Sequence, residues 1–204
     1  MAEMLANPSL TRSPFAALQD ARAPNPSGQI GVHVLARRCA SVNLISTWVH
    51  GGNALEAALG AALGSPVPGT PGQTSRCAHG LLLRTGPVEF LLMGEDPSER
   101  TTLLRAAVKP EVGSVTDLSH ARCKISVSGP QCRAMLNKLF ALDLREREFP
   151  PGEARMTGTH HVPCTLHRLE SDRFDLYVFT TYAQDQLETV LDAALEYGYA
   201  LSLG

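Results

Sequence analysis

The sequence predicts an α+β fold of two lobes, with antiparallel or mixed sheets and helices packed on one face, and three observations carry that reading. From Gln29 onward a strand, strand, helix order repeats four times. Each helical stretch is bounded by residues that start or stop helices. The run Lys109-Pro-Glu-Val-Gly then interrupts the order midway. Hairpins followed by helices return the chain to one face of a sheet, which argues against a wound parallel sheet. The expected organisation is an extended arm over residues 1–28, a first lobe over 29–110 and a second over 111–204.

The arm is rich in Pro, Ser, Asn and Ala, and Pro8, Pro14, Pro24 and Pro26 remove backbone donors. It reads as a segment with no core of its own, whose Phe15 would pack against another subunit. In the first unit Ile30, Val32 and Val34 alternate, and a second strand runs from about Val42 to Trp48. Asn53 and Glu56 have the spacing of a capping box for a helix at about 53–63. Leu55, Ala58, Leu59 and Ala62 form its apolar stripe, and Gly64 can take the left-handed stop. The second unit pairs Gly80–Thr85 with Val88–Met93 across Gly86-Pro87, then enters a helix at about 98–108.

In the third unit Cys123, Ile125 and Val127 alternate with Lys124, Ser126 and Ser128, the pattern of a half-buried strand. Gly129-Pro130 opens a helix at about 131–142, since proline loses nothing at a first helical position. The fourth unit has Val162, Cys164 and Leu166, a turn at Ser171-Asp172, then Phe174, Leu176 and Val178. Thr181 with Gln184 suggests a capping box for a last helix at about 183–197, ended by Gly198.

Composition removes several function classes. The formal net charge of −2 and the scarcity of aromatics give neither a field for nucleic acid nor a stacking platform for bases. No apolar run approaches the ~20 residues of a membrane span. Met1 to Arg12 lacks the form of a secretory signal. Five widely spaced cysteines, an odd number, favour reduced thiols. A cytoplasmic protein with no nucleic-acid or membrane partner is expected.

The chemistry-bearing residues mostly have structural readings. No G-x-G-x-x-G, Walker A, G-x-S-x-G or H-E-x-x-H pattern occurs. His160, His161, Cys164 and His167 resemble a metal motif only on a helix. On a strand His161 and His167 share a face but stand ~20 Å apart, with Cys164 on the other, so no metal site is expected. Cys123 and Cys132 lie on apolar stripes and read as small hydrophobes. The mixed-sign segment Asp143-Leu-Arg-Glu-Arg-Glu could supply acid/base groups, but reads as a solvated surface or a salt-bridged interface. Asp117 is either a buried carboxylate or a turn-stabilising one, the second role being the expected one. No catalytic, cofactor-binding or metal-ligating residue is assigned.

Three segments in order resemble the sarcosine oxidase γ subunits. Arg12-Ser-Pro-Phe-Ala-Ala-Leu is similar to that family's opening, and Arg84-Thr-Gly-Pro-Val-Glu-Phe-Leu-Leu to an internal segment. The longest likeness runs through Val115-Thr-Asp-Leu-Ser, Ser128-Gly-Pro-Gln-Cys-Arg-Ala-Met-Leu, Leu142-Asp-Leu, Phe149-Pro-Pro-Gly and Thr157. It extends from about Arg12 to Gly198. The resemblance implies a fold akin to the aminomethyltransferase folate-binding fold and a chain that itself holds no cofactor. It further implies α, β and δ partner chains bearing FAD, FMN, NAD and zinc and using tetrahydrofolate, in a complex that oxidises sarcosine. Val88 and Phe90 depart from the family's acidic residue and tryptophan. Leu142-Asp143 and Thr157 stand where folate-dependent transferases carry Asn-Asp and a tyrosine beside threonine. The alternatives are a free-standing folate-dependent aminomethyltransferase or folate-binding protein, and the equivalent subunit of an N-methylglutamate dehydrogenase. A tRNA-modification helper of the same fold is disfavoured, because the chain has no basic patch.

Overall fold

The structure, a computed structural model, describes residues 13–48, 52–94 and 100–204. Their strands form two sheets. The larger runs in the order β1 (Ala21–Ala23), β12 (Tyr199–Leu203), β2 (Val32–Arg38), β8 (Arg122–Ser128), β11 (Arg173–Phe179), β10 (Val162–Glu170) and β9 (Ala154–Thr159). The smaller runs β4 (Thr74–Cys77), β5 (Gly80–Gly86), β6 (Glu89–Gly94), β3 (Ser41–Thr47) and β7 (Gly113–Asp117). Pairing is antiparallel within both sheets except between β12 and β2. With helices α1 (Gly52–Leu63), α2 (Arg100–Ala107), α3 (Cys132–Leu139) and α4 (Ala183–Ala194), the class is α+β, as the strand–strand–helix order predicts. Among the described residues no helix is long and apolar enough to cross a membrane.

Side-chain alternation explains the layering. On the larger sheet Val34, Ile125, Val127, Leu176 and Val178 point toward α3 and α4 and form the main core with Met135, Leu136, Leu187 and Val190. On the smaller sheet Ile45, Leu82, Phe90 and Leu92 point toward α1 and α2, meeting Leu55, Leu59 and Leu104. Each fully buried Leu or Phe here contributes roughly 1.5–3 kcal/mol of transfer free energy. The opposite faces meet each other. Val42, Leu81, Leu83, Leu91 and Met93 of the smaller sheet cover Ala154 and Tyr177 of the larger.

The expected lobes of residues 29–110 and 111–204 interleave. β2 pairs with β8 in the larger sheet, and β7 pairs with β3 in the smaller. The short links Cys39-Ala40 and 118–121 each carry the chain from one sheet to the other. Cys39 N–H donates to the Arg122 carbonyl, and Leu118 N–H to that of Val42.

The arm also differs from its sequence reading. Arg12 and the residues before it lie outside the described residues. Phe15 is buried in the chain's own main core, so it is not offered to another subunit. β1 pairs with β12. At the last helix, Thr180–Tyr182 form a 3₁₀ turn and no side chain caps α4. Gln184 bonds Glu188 instead of closing a capping box. Glu56 pairs with Arg84 at 2.8 Å rather than serving a cap. Helix α3 stops at Leu139 because Phe140 turns extended and drives its ring into the core.

Candidate functional site

A sheet packed by helices on one face and by a second sheet on the other ordinarily carries apolar residues on both sides. The larger sheet does not. Its inward face toward the smaller sheet is polar at its centre, because β8 places Lys124, Ser126 and Ser128 there and β11 places Arg173, Asp175 and Tyr177. The strand register sets these groups side by side. Ser126 lies opposite Asp175, Asp175 opposite His167, and Tyr177 opposite Lys124.

The smaller sheet packs on this face around Ala154 of β9 and Tyr177 of β11. Beside that contact lies a cleft of about 1100 Å³, with β2, β8, β10, β11 and β12 forming one wall and Arg76–Ala78, Gly80–Leu81 and Met93–Gly94 contributing to the other. Asp175 is nearly buried at its floor. Its Oδ1 accepts from Ser126 Oγ at 2.6 Å, and its Oδ2 lies 3.8 Å from Lys124 Nζ and 3.5 Å from the Tyr177 hydroxyl. His167 beside it is 2% exposed, and its Nδ1 has no hydrogen-bond partner among the described residues. Burial lowers its pKa from 6.5 to about 4; Arg76 and Lys124 push the same way and Asp175 opposes them. The imidazole is therefore neutral at physiological pH. Basic residues lining the cleft (Arg37, Arg38, Arg76, Lys124, Arg173) outnumber acidic ones (Glu170, Asp175). This set can hold an anion. It offers no thiol or hydroxyl paired with a free base as a nucleophile would need.

The residues weighed from sequence fall elsewhere, His167 excepted. His160 and His161 are not on a strand. They form the exposed two-residue turn between β9 and β10, both with positive φ (47° and 67°). The closing pair Thr159 and Val162 demands left-handed backbone at both turn positions, which histidine tolerates better than most residues. Cys164 faces the helix-side core, and burial raises its pKa to about 11. Among the described residues no three His, Cys, Asp or Glu side chains are placed to hold a metal ion. Cys123 and Cys132 are fully buried, with pKa values raised mainly by burial. Asp117 is exposed and takes the turn role, accepting from Ser119 N–H and Oγ.

Asp143, paired with Arg145, has its pKa lowered to about 2 by those hydrogen bonds. With Leu142 it lines a separate small hollow, and Thr157 sits on edge strand β9. None of the three reaches the inter-sheet cleft.

Over 195 residues, 95% of each chain, the sequence is 30% identical to the sarcosine oxidase subunit gamma of Arthrobacter sp.. The chain belongs to the sarcosine oxidase γ-subunit family. A γ subunit from Corynebacterium sp. (strain U-96) is 29% identical over 199 residues, 97% of this chain and 96% of that one. Among solved structures, the heterotetrameric sarcosine oxidase from Corynebacterium sp. U-96 in complex with pyrrole 2-carboxylate superposes with a TM-score of 0.79. Identity there is 26%, over 92% of this chain and 96% of that one. Glycine cleavage system aminomethyltransferase T from Bartonella henselae shares the fold, with a TM-score of 0.60 at 14% identity, over 95% of this chain and 59% of that one. No protein-family model matches.

In this γ-family chain the family-like segments lie mostly outside the cleft lining, with Ser128 on its wall. Arg84–Leu92 spans the β5–β6 hairpin that covers Tyr177, and Ser128–Leu136 carries β8 into α3. The sequence reading missed Asp175 and Arg168. Asp175 interrupts the apolar run Phe174, Leu176, Val178 at a position that alternation sends to the other face. Arg168 continues the core-facing alternation of Cys164 and Leu166 and is completely buried.

Proposed function

We propose that this chain is the non-catalytic γ subunit of a heterotetrameric, sarcosine-oxidase-type flavoenzyme. Its partners are α, β and δ chains, which carry FAD, FMN, NAD and zinc and use tetrahydrofolate. The assembly oxidatively demethylates sarcosine to glycine, giving formaldehyde or methylenetetrahydrofolate and hydrogen peroxide. The observation that carries this reading is family membership along 95% of the chain and of its relative, matched by a full-length likeness to one chain of a sarcosine oxidase heterotetramer.

The non-catalytic part draws support from two features of the residues. A flavin dinucleotide is held where a glycine-rich turn leaves a parallel strand and enters a helix. In this chain the one parallel pair among the described residues is β12 with β2, and no G-x-G-x-x-G sequence occurs. The buried thiols of Cys123, Cys132 and Cys164 are held protonated by their surroundings, which suits packing better than nucleophilic work. That none of the five cysteines is in a disulfide accords with a cytoplasmic location.

The test is to express the chain alone. Colourless protein that forms no peroxide from sarcosine is expected. A chain that purifies with bound flavin, or turns over sarcosine by itself, overturns the reading.

A further inference from the structure

The inter-sheet cleft concentrates positive charge in a chain whose formal net charge is −2. Both acids that line it are engaged, Asp175 by Ser126 and Lys124, and Glu170 by Arg173 at 3.6 Å. Across from them Arg76 is exposed on β4, with no carboxylate partner among the described residues, yet close enough to act on His167. Buried polar atoms are ordinarily paired, and the unpartnered Nδ1 of His167 is an exception at the floor of this cleft. A recess that gathers basic side chains over an unsatisfied polar group has the construction of an anion site.

We propose that the cleft between the two sheets binds a small organic anion bearing a carboxylate or a phosphate, gripped by Lys124 and Arg76 from opposite walls above His167. The volume of about 1100 Å³ has room for an organic molecule and not only a bare ion. Asp175 positions Lys124 and is itself satisfied, so a cationic ligand finds its natural partner occupied. The site is distinct from the subunit role and stands or falls separately. An anion seated there favours protonation of His167, adding to Asp175 of β11 and opposing Lys124 of β8 and Arg76 of β4, so binding tightens as the pH falls.

The experiment follows the His167 ring resonances of the isotopically labelled full chain by NMR. The chain is titrated at constant ionic strength with inorganic phosphate, citrate or methylammonium. Saturable movement of the His167 signals with phosphate, citrate or both is expected, and none with methylammonium. Saturation by one anion alone identifies which group the site prefers. Arg76→Gln, an exposed change that leaves the fold intact, should weaken binding about tenfold. The proposal is overturned if neither anion gives saturation at His167. It is equally overturned if methylammonium saturates the site, or if Arg76→Gln binds as tightly as the parent, the mark of an adventitious ion only.

Discussion

Arg168 offers the sharpest test of how the chain is held together. Its guanidinium is fully buried on the helix side of β10 and donates to four carbonyls: Phe149 at 2.7 Å, Ser171 at 3.1 Å, and Leu144 and Glu170 at 3.2 Å. Through Leu144 and Phe149 it pins the charged connection between α3 and β9, whose Leu144 and Phe149 side chains are themselves core residues. The nearest carboxylate, Glu146, is 3.6 Å away and half exposed, so the carbonyls carry most of the load. In Arg168→Ala the two buried carbonyls lose a charged donor at roughly 1–3 kcal/mol each, and the two partly buried ones lose less. A total of about 4 kcal/mol follows, in line with what removal of one partner from a buried charged cluster does. Arg168→Lys, which lacks the planar fork, should lose about half of that. Glu146→Gln should lose under about 0.5 kcal/mol. Urea unfolding of the full chain, followed by far-ultraviolet circular dichroism, reads all three. A loss below about 1 kcal/mol for Arg168→Ala would show that the loop is held by its apolar side chains, and the reasoning would fail.

Three further outcomes are expected. His167, with its pKa lowered from 6.5 to about 4, binds its proton more readily in the unfolded chain. Its neutral-state contribution is therefore complete above pH 6.5 and is lost as the pH falls toward 4, about 3 kcal/mol in all. His167→Gln should remove that part of the pH dependence, and identical slopes for parent and variant would contradict the assignment. At pH 8 a thiol reagent should label Cys39 and Cys77 in the native chain, and reach Cys123, Cys132 and Cys164 only in denaturant; fast labelling of all five would refute the burial. Gly198 has φ +71°, and a Cβ there would collide with the Gln29 carbonyl, so Gly198→Ala should lose about 2–3 kcal/mol; an unchanged unfolding midpoint would count against the strain.

The helices and hairpins were legible because period and punctuation agree locally. Leu55 and Leu59 mark the buried stripe of α1, and Gly64, with φ +60°, stops it as expected. What escaped were features that depend on partners distant in sequence. Nothing near residues 32–38 or 113–117 says that β2 and β7 change sheets, since strand pairing is decided by contacts some eighty residues apart. Lys124 and Ser126 read as a solvated face, whereas the second sheet roofs that face and turns it into a cleft. Arg168 was invisible for the opposite reason. Charge suggests exposure, yet its donors are absorbed by main-chain carbonyls that no pattern reveals. Phe15 read as bait for another subunit because the arm has no periodicity of its own, while the core it fills is built mostly from residues more than a hundred positions later, with Val32, Val34 and Ala36 besides.

The role proposed for this chain is that of one subunit in a flavin-bearing assembly. Native mass spectrometry of the complex purified after co-expression with its α, β and δ genes tests that most directly. The predicted result is a single species containing one copy of each chain, with flavin mass lost on dissociation from the partners and none on this chain. A complete, active α–β–δ enzyme that never includes the chain, or flavin retained on the chain after dissociation, would contradict it.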